Sequence, residues 1–470
     1  MNSARAAART RLRRQRLLAG PVGRVLFALS WPVSLGLFSV IAFNIVDTLY
    51  IGRLGPDQLA AIGYCFPVIF SMSAVSIGMA NGATSVVSRS LGRGDADRAR
   101  IRTTDTIIFT GILSLLMTGG MFLIDETVFG WLGTPQRLMP FVHQYMNVWF
   151  LGLPFLMMPI VLNGLIRATG DAIFPSSLMI MAAAINAVIS PFLVFGIWGA
   201  PDLGMAGAAW ATIMARAVVF ICSFVYLQRQ KLVEFTGHDF GIFRSSVAEI
   251  TRFGAPAFFA QLVSPLSAAI GVRLLTLSST DAVAAYTVGT RIESLMLVPF
   301  MALSSGIGPF TGQNIGAGKP HRLRSAQIKA LLFGLGWGLV VFAILTAFGS
   351  QLAGLFSREA SIVGLADHYL SFIALGVWGA GFLHVSVGVA NPLGYPNLGM
   401  TLSIIRHLVL FAGLSLVLIL GFGTDPFQTV IMAGPAAYIV AGLFAALMTR
   451  RLIVREEAAM GRSASAPSQH

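Results

Sequence analysis

The sequence predicts an all-α polytopic membrane protein with two pseudo-symmetric six-helix lobes. Three observations carry this. Of 470 residues, 56% are hydrophobic and 11% charged, against about 25% charged in ordinary soluble domains. The apolar residues run in long unbroken stretches, which selects membrane helices over alternating barrel strands. The chain also repeats itself once along its length.

A bilayer-spanning helix needs about 20 apolar residues. Twelve stretches qualify. The first half holds 25–51, 59–87, 104–124, 139–165, 173–198 and 205–227, and the second 253–277, 283–308, 328–349, 363–388, 397–420 and 428–449. The net charge of +13 raises the question of nucleic acid, but its location argues otherwise. Seven arginines lie between Arg5 and Arg24, and others crowd 89–102, 229–252, 319–329 and the tail after Arg450. With the N-terminus inside, the even-numbered connections are cytoplasmic and carry Arg89, Arg93, Arg98, Arg100, Arg102, Lys231, Arg244, Lys319, Arg322 and Arg324, while the outer ones carry only Arg53, Arg137 and Arg358. That is the positive-inside pattern. It predicts a multi-pass plasma membrane protein (bacterial inner membrane), with both termini cytoplasmic and no nucleic-acid partner.

The expected organisation is a basic N-terminal tail (1–23), a first lobe (24–228), a cytoplasmic linker (229–249), a second lobe (250–451) and a cytoplasmic C-terminal tail (452–470). The basic N-terminus leads into a full-length span, which does not fit a cleavable signal peptide. Its Arg- and Ala-rich composition also fits a mitochondrial transit peptide, ranked below the cytoplasmic anchor.

Shifting the first half by 224 residues brings identities together without a gap. Pro32 meets Pro256, Asp57 meets Asp281, Gly94 meets Gly318, Arg98 meets Arg322 and Gly170 meets Gly394. Six spans per half start both copies on the same membrane side, so the repeat is parallel. Such halves are common in alternating-access carriers.

Nearly all 19 acidic residues lie in loops or at span ends. Asp47 and Glu293 do not. An ionised carboxylate within a bundle is costly and normally faces a wet cavity, a partner or an ion path. Asp47 is therefore a candidate proton or cation carrier, with Asn44 one turn earlier. Glu293 fits either a second-lobe polar site or a structural ion pair, with Arg291 and Arg273 as the candidate partners. Arg216, His384, Arg406 and His407 also fall in or near spans. Cys65 and Cys222 each sit inside a span, so neither a disulfide nor a metal site is expected. There is no HExxH, GxSxG or Walker A pattern, and no phosphate-binding loop for ATP hydrolysis. The chain reads as a non-enzyme without cofactor, and transport would run on an ion or substrate gradient.

Four segments then carry a resemblance. They are Asn81-Gly-Ala-Thr-Ser-Val-Val-Ser-Arg-Ser-Leu-Gly-Arg-Gly-Asp95, Gly308-Pro-Phe-Thr-Gly-Gln-Asn-Ile-Gly-Ala-Gly-Lys319, Val46-Asp-Thr-Leu-Tyr-Ile-Gly-Arg-Leu-Gly55 and Asn163-Gly-Leu-Ile-Arg-Ala-Thr-Gly-Asp171. In this order they resemble the MATE family, the multidrug and toxic compound extrusion transporters, and most of all its DinF-like branch. The resemblance implies two six-helix lobes around a V-shaped cavity. It implies antiport, in which protons or sodium ions enter while small organic, often cationic, compounds leave. It assigns coupling to Asp47 with Asn186 and Thr212, and a bend in the first span to Pro32. Ser190 stands where some members carry a second aspartate, so a sodium ion at Asp47, Asn186 and Thr212 would lose one negative charge. Proton coupling is therefore favoured over sodium. The expected partners are small organic substrates and membrane lipids, with the chain acting as a monomer. A lipid-linked glycan flippase stays open as the alternative, since Arg216, Arg273, Arg291 and Arg406 suit a pyrophosphate head group. A membrane-embedded enzyme and a passive channel fit less well.

Overall fold

The computed structural model describes residues 12–199, 201–235 and 239–465. Arg5, Arg9 and Arg11 of the basic tail, 236–238 of the expected linker and 466–470 of the C-terminal tail lie outside the described residues. A short helix, α1 (12–19), precedes the spans. The first half then contains α2 (Val22–Gly52), α3 (Pro56–Arg93), α4 (Ala96–Trp131), α5 (Met139–Leu151), α6 (Leu153–Ala168), α7 (Ile173–Phe195) and α8 (Gly204–Arg229). The second contains α9 (Phe240–Leu275), α10 (Thr280–Gly316), α11 (His321–Gly354), α12 (Ala360–Leu393), α13 (Pro396–Gly421) and α14 (Pro426–Ser465).

Eleven of the described helices are long and apolar enough to cross a membrane, and α5 with α6 forms a twelfth span bent by 52°. The bend falls at Gly152, and Pro154 follows in the first turn of α6. A proline there removes a ladder hydrogen bond and frees the chain to turn.

The repeat is visible in the caps. Gly94 and Gly318 both adopt left-handed φ, +84° and +67°, a conformation open to glycine without steric cost. At each, the next N–H reaches back to close the helix, from Asp95 N to Ser90 O and from Lys319 N to Asn314 O. These are paired Schellman ends. Asp95 then caps α4 by accepting from Arg98 N.

The chain forms two compact units. One comprises residues 1–15 and 32–258, the other 16–31 and 259–470. The units thus differ from the linear halves of the sequence. Two of the changes of membership fall close to the paired prolines, at Pro32 in α2 and just after Pro256 in α9; the third falls within α1. In the first unit, Phe129, Met146, Phe150 and Met157 are wholly enclosed. In the second, Phe300, Leu345, Leu370 and Val377 play the same part. Large apolar side chains such as Leu123, Leu339 and Leu447 point outward, as lipid contact requires.

The polar stretch read as a linker is helical from Phe240 onward. Its polar groups find partners within the first unit: Glu249 pairs with Arg102 at 2.8 Å, and Ser246 donates to Asp105. These contacts satisfy an otherwise hydrophilic helix end. In the same way α14 continues past the span expected to end at 449.

Candidate functional site

Asp47 sits on α2, past Pro32 and inside the first unit. Its residue surface is only 7% exposed. Oδ1 is sealed from solvent without a hydrogen-bond partner, and no ion pair reaches the carboxylate among the described residues. One turn on, Tyr50 fixes this face of α2 against α7. Its hydroxyl donates to Ala187 O at 3.3 Å, and its ring meets Phe195 edge-on at 6.2 Å.

Beside Ala187 lies a fully buried polar network. Asn186 Nδ2 donates to Thr212 Oγ1 at 3.2 Å, and Ser190 Oγ donates to Asn186 Oδ1 at 3.2 Å. Thr212 itself donates back to Ala208 O. The contact between α7 and α8 depends on Gly207: a Cβ there would stand 2.1 Å from Leu193 O. Small residues let membrane helices approach this closely. Thr212 also borders a cavity of about 10 Å³ with Phe43, Met179 and Arg216, roughly the space one water needs.

The structure therefore brings α2, α7 and α8 together and joins Asn186, Ser190 and Thr212 to one another. Among the described residues, no hydrogen bond links them to Asp47. Asn44 is exposed and does not share the aspartate's burial. An acid so placed lacks the donors that normally compensate a buried charge. A proton, a metal cation or a cationic ligand would each neutralise it.

Glu293 in the second unit is held differently. Tyr369 donates to Oε2, and Tyr438 donates to Oε1 at 2.8 Å. Neither arginine expected from the sequence pairs with it. Arg291 is exposed, and Arg273 donates to Thr276 at 3.4 Å in the last turn of α9. The aromatic partners come from α12 and α14, far away in sequence. Tyrosines within apolar spans were the available signal.

Asp171, the last residue of the fourth sequence segment, is engaged as an anchor. It accepts from the backbone of Ile173 and Phe174 at the start of α7. It also pairs with Arg13 at 2.7 Å and accepts from the Tyr226 hydroxyl. The basic tail thus supplies a structural ligand, which the positive-inside reading alone did not reveal.

Comparison with known proteins agrees with this layout. The family described as MatE matches twice, over residues 32–192 and 256–417, starting at the paired prolines. The FAD transporter of Shewanella oneidensis is 31% identical over 442 residues, covering 93% of this chain and 97% of that protein. The multidrug export protein MepA of Staphylococcus aureus is 25% identical over 386 residues, covering 80% and 83%. The crystal structure of the Vibrio cholerae MATE transporter VcmN in the bent form superposes with a TM-score of 0.87 at 26% identity, over 93% of this chain and 98% of that one. Two matched repeats, twelve spans and relatives matched over most of their length fix the assignment: the chain is a multi-pass membrane protein of the MatE family of transporters.

Proposed function

We propose that this transporter exports small organic compounds by cation-coupled antiport, with Asp47 as the coupling group and protons as the coupling ion. The observation that carries the reading is a buried carboxylate whose Oδ1 has no hydrogen-bond partner among the described residues. A proton and a cationic compound compete for one charge, and competition between two ligands is enough to couple their fluxes when the protein has two states. Pro32 gives α2 a point of weakness, because its ring removes a backbone hydrogen bond. Unit membership changes at the same residue. Asn186, Ser190 and Thr212 satisfy one another, which leaves a sodium ion at Asp47 short of oxygen ligands and favours the proton. The basic inner connections support cytoplasmic termini. The chain acts as a monomer within the lipid, and the transport cycle uses no cofactor.

The cargo is organic and cationic or amphiphilic. A second cargo, an aromatic nucleotide, is favoured by one observation: the Shewanella oneidensis relative, matched over nearly its whole length, is an FAD transporter.

The test is efflux of a fluorescent cationic dye, and separately of FAD, from proteoliposomes under imposed proton or sodium gradients. Dye efflux driven by the proton gradient and abolished in Asp47→Asn is expected. Efflux that persists undiminished in Asp47→Asn would refute the assignment.

A further inference from the structure

The second unit contains a half-open cavity of about 220 Å³, lined by Tyr286, Tyr369, Phe411 and Tyr438, with Glu293 and Arg406 on its surface. Its hydrogen-bonding inventory is unbalanced. Each oxygen of Glu293 already accepts a phenol proton. Nearby hydroxyls are committed to backbone carbonyls: Ser267 donates to His407 O at 2.7 Å and Ser294 to Arg291 O at 2.7 Å. Arg406 is not committed in this way. Its guanidinium carbon lies 3.8 Å from the centroid of the Tyr438 ring. Among the described residues, it makes neither a hydrogen bond nor an ion pair, and its Nε is buried with no partner. Arginine has five N–H donors and no acceptor. A buried guanidinium N–H without a partner calls for an acceptor, and a positive charge inside a span calls for an anion.

The backbone is unusual at the same place. Ile405–Gly413 is π-helical within α13, a rare geometry that recurs at functional sites. Both Arg406 and the adjacent His407 line the cavity. Tyr438 stands between the two charges, its ring face on Arg406 and its hydroxyl on Glu293. Glu293 thereby orients the aromatic wall without quenching the guanidinium.

We propose that this cavity is a binding site for a compact aromatic oxyanion, a carboxylate or phosphate borne on one ring. The planar guanidinium matches the two oxygens of such a group, and the aromatic walls suit its ring. The volume lies below the roughly 300 Å³ at which pockets for drug-sized ligands begin, so one ring and one charged group fill it. Its part in transport rests on the export reading above, as a second place where the acidic end of an amphiphilic cargo is held. Binding itself is independent of that reading.

The experiment is calorimetric titration of the purified full chain with benzoate, phenyl phosphate and the neutral benzamide. At least one anion is expected to bind more tightly than benzamide, and the better anion names the head group. Arg406→Gln should weaken that anion about 10- to 100-fold, the range for hydrogen bonds to charged groups, and leave benzamide unchanged. Arg406→Lys keeps the charge without the planar fork and should fall between. It also guards against misfolding of the glutamine variant. Anions that bind no better than benzamide, or that bind Arg406→Gln as well as the parent, would overturn the proposal. If anion binding fails while Asp47-dependent dye efflux persists, the cavity assignment falls and the export reading stands. If efflux fails while anion binding follows Arg406, the reverse holds.

Discussion

Asp47 and Glu293 are both carboxylates inside apolar helical lobes, with 7% and 8% of their residue surface exposed. Glu293 receives a phenol O–H on each oxygen. Asp47 receives nothing on Oδ1. Burial is nearly the same at the two carboxylates; what differs is the hydrogen bonds they accept. A carboxylate whose lone pairs are met can remain charged in place. One whose lone pairs are unmet gains from every proton or cation that arrives. The contrast extends to the cations, because Arg406 of the second unit makes no hydrogen bond among the described residues.

The duplication did not produce these differences. Under the 224-residue shift, Asp47 falls on Gly271, Glu293 on Ile69 and Arg406 on Ala182. The repeat preserved the caps and prolines that shape the helices, while the polar interior of each lobe diverged.

If Glu293 is structural because it is satisfied, stripping its donors should be severe. The double variant Tyr369→Phe, Tyr438→Phe removes both. Each lost bond to a buried charged group costs about 1–3 kcal/mol. A clear fall in the thermal unfolding midpoint of the purified protein is expected, with partial recovery on adding Glu293→Gln. An unchanged midpoint would mean that Glu293 is not held as an ion.

A smaller effect is expected in the first unit. Thr212→Val keeps the shape but removes the acceptor for Asn186. About 1 kcal/mol of stability should be lost, with dye efflux reduced but still driven by protons. Complete loss of proton-driven efflux would place the coupling in the Asn186 network and break the contrast drawn above.

Much of this architecture was legible in the sequence, for physical reasons. Long apolar runs announced the spans. Gly94 and Gly318 are readable because a left-handed turn admits few other residues. Asp47 was legible because an acid within a span is rare and costly. What escaped depends on contacts distant along the chain. Tyr369 and Tyr438 lie 76 and 145 residues from Glu293, and in sequence they look like ordinary span aromatics. The first turns of α9 look like a polar linker until Arg102 and Asp105 are seen to satisfy them. The bend at Gly152 was signalled locally by Gly-Leu-Pro, but a continuous apolar run concealed it.

The central claim is that a proton and a cationic compound compete for Asp47. The most direct measurement is proton release, in weakly buffered detergent solution, when a cationic dye binds the purified protein. The parent should release protons on binding, and its affinity should rise with pH, since deprotonation frees the carboxylate for the dye. In Asp47→Asn, release should vanish and the affinity should become independent of pH. Proton release of the same size in that variant would contradict the account.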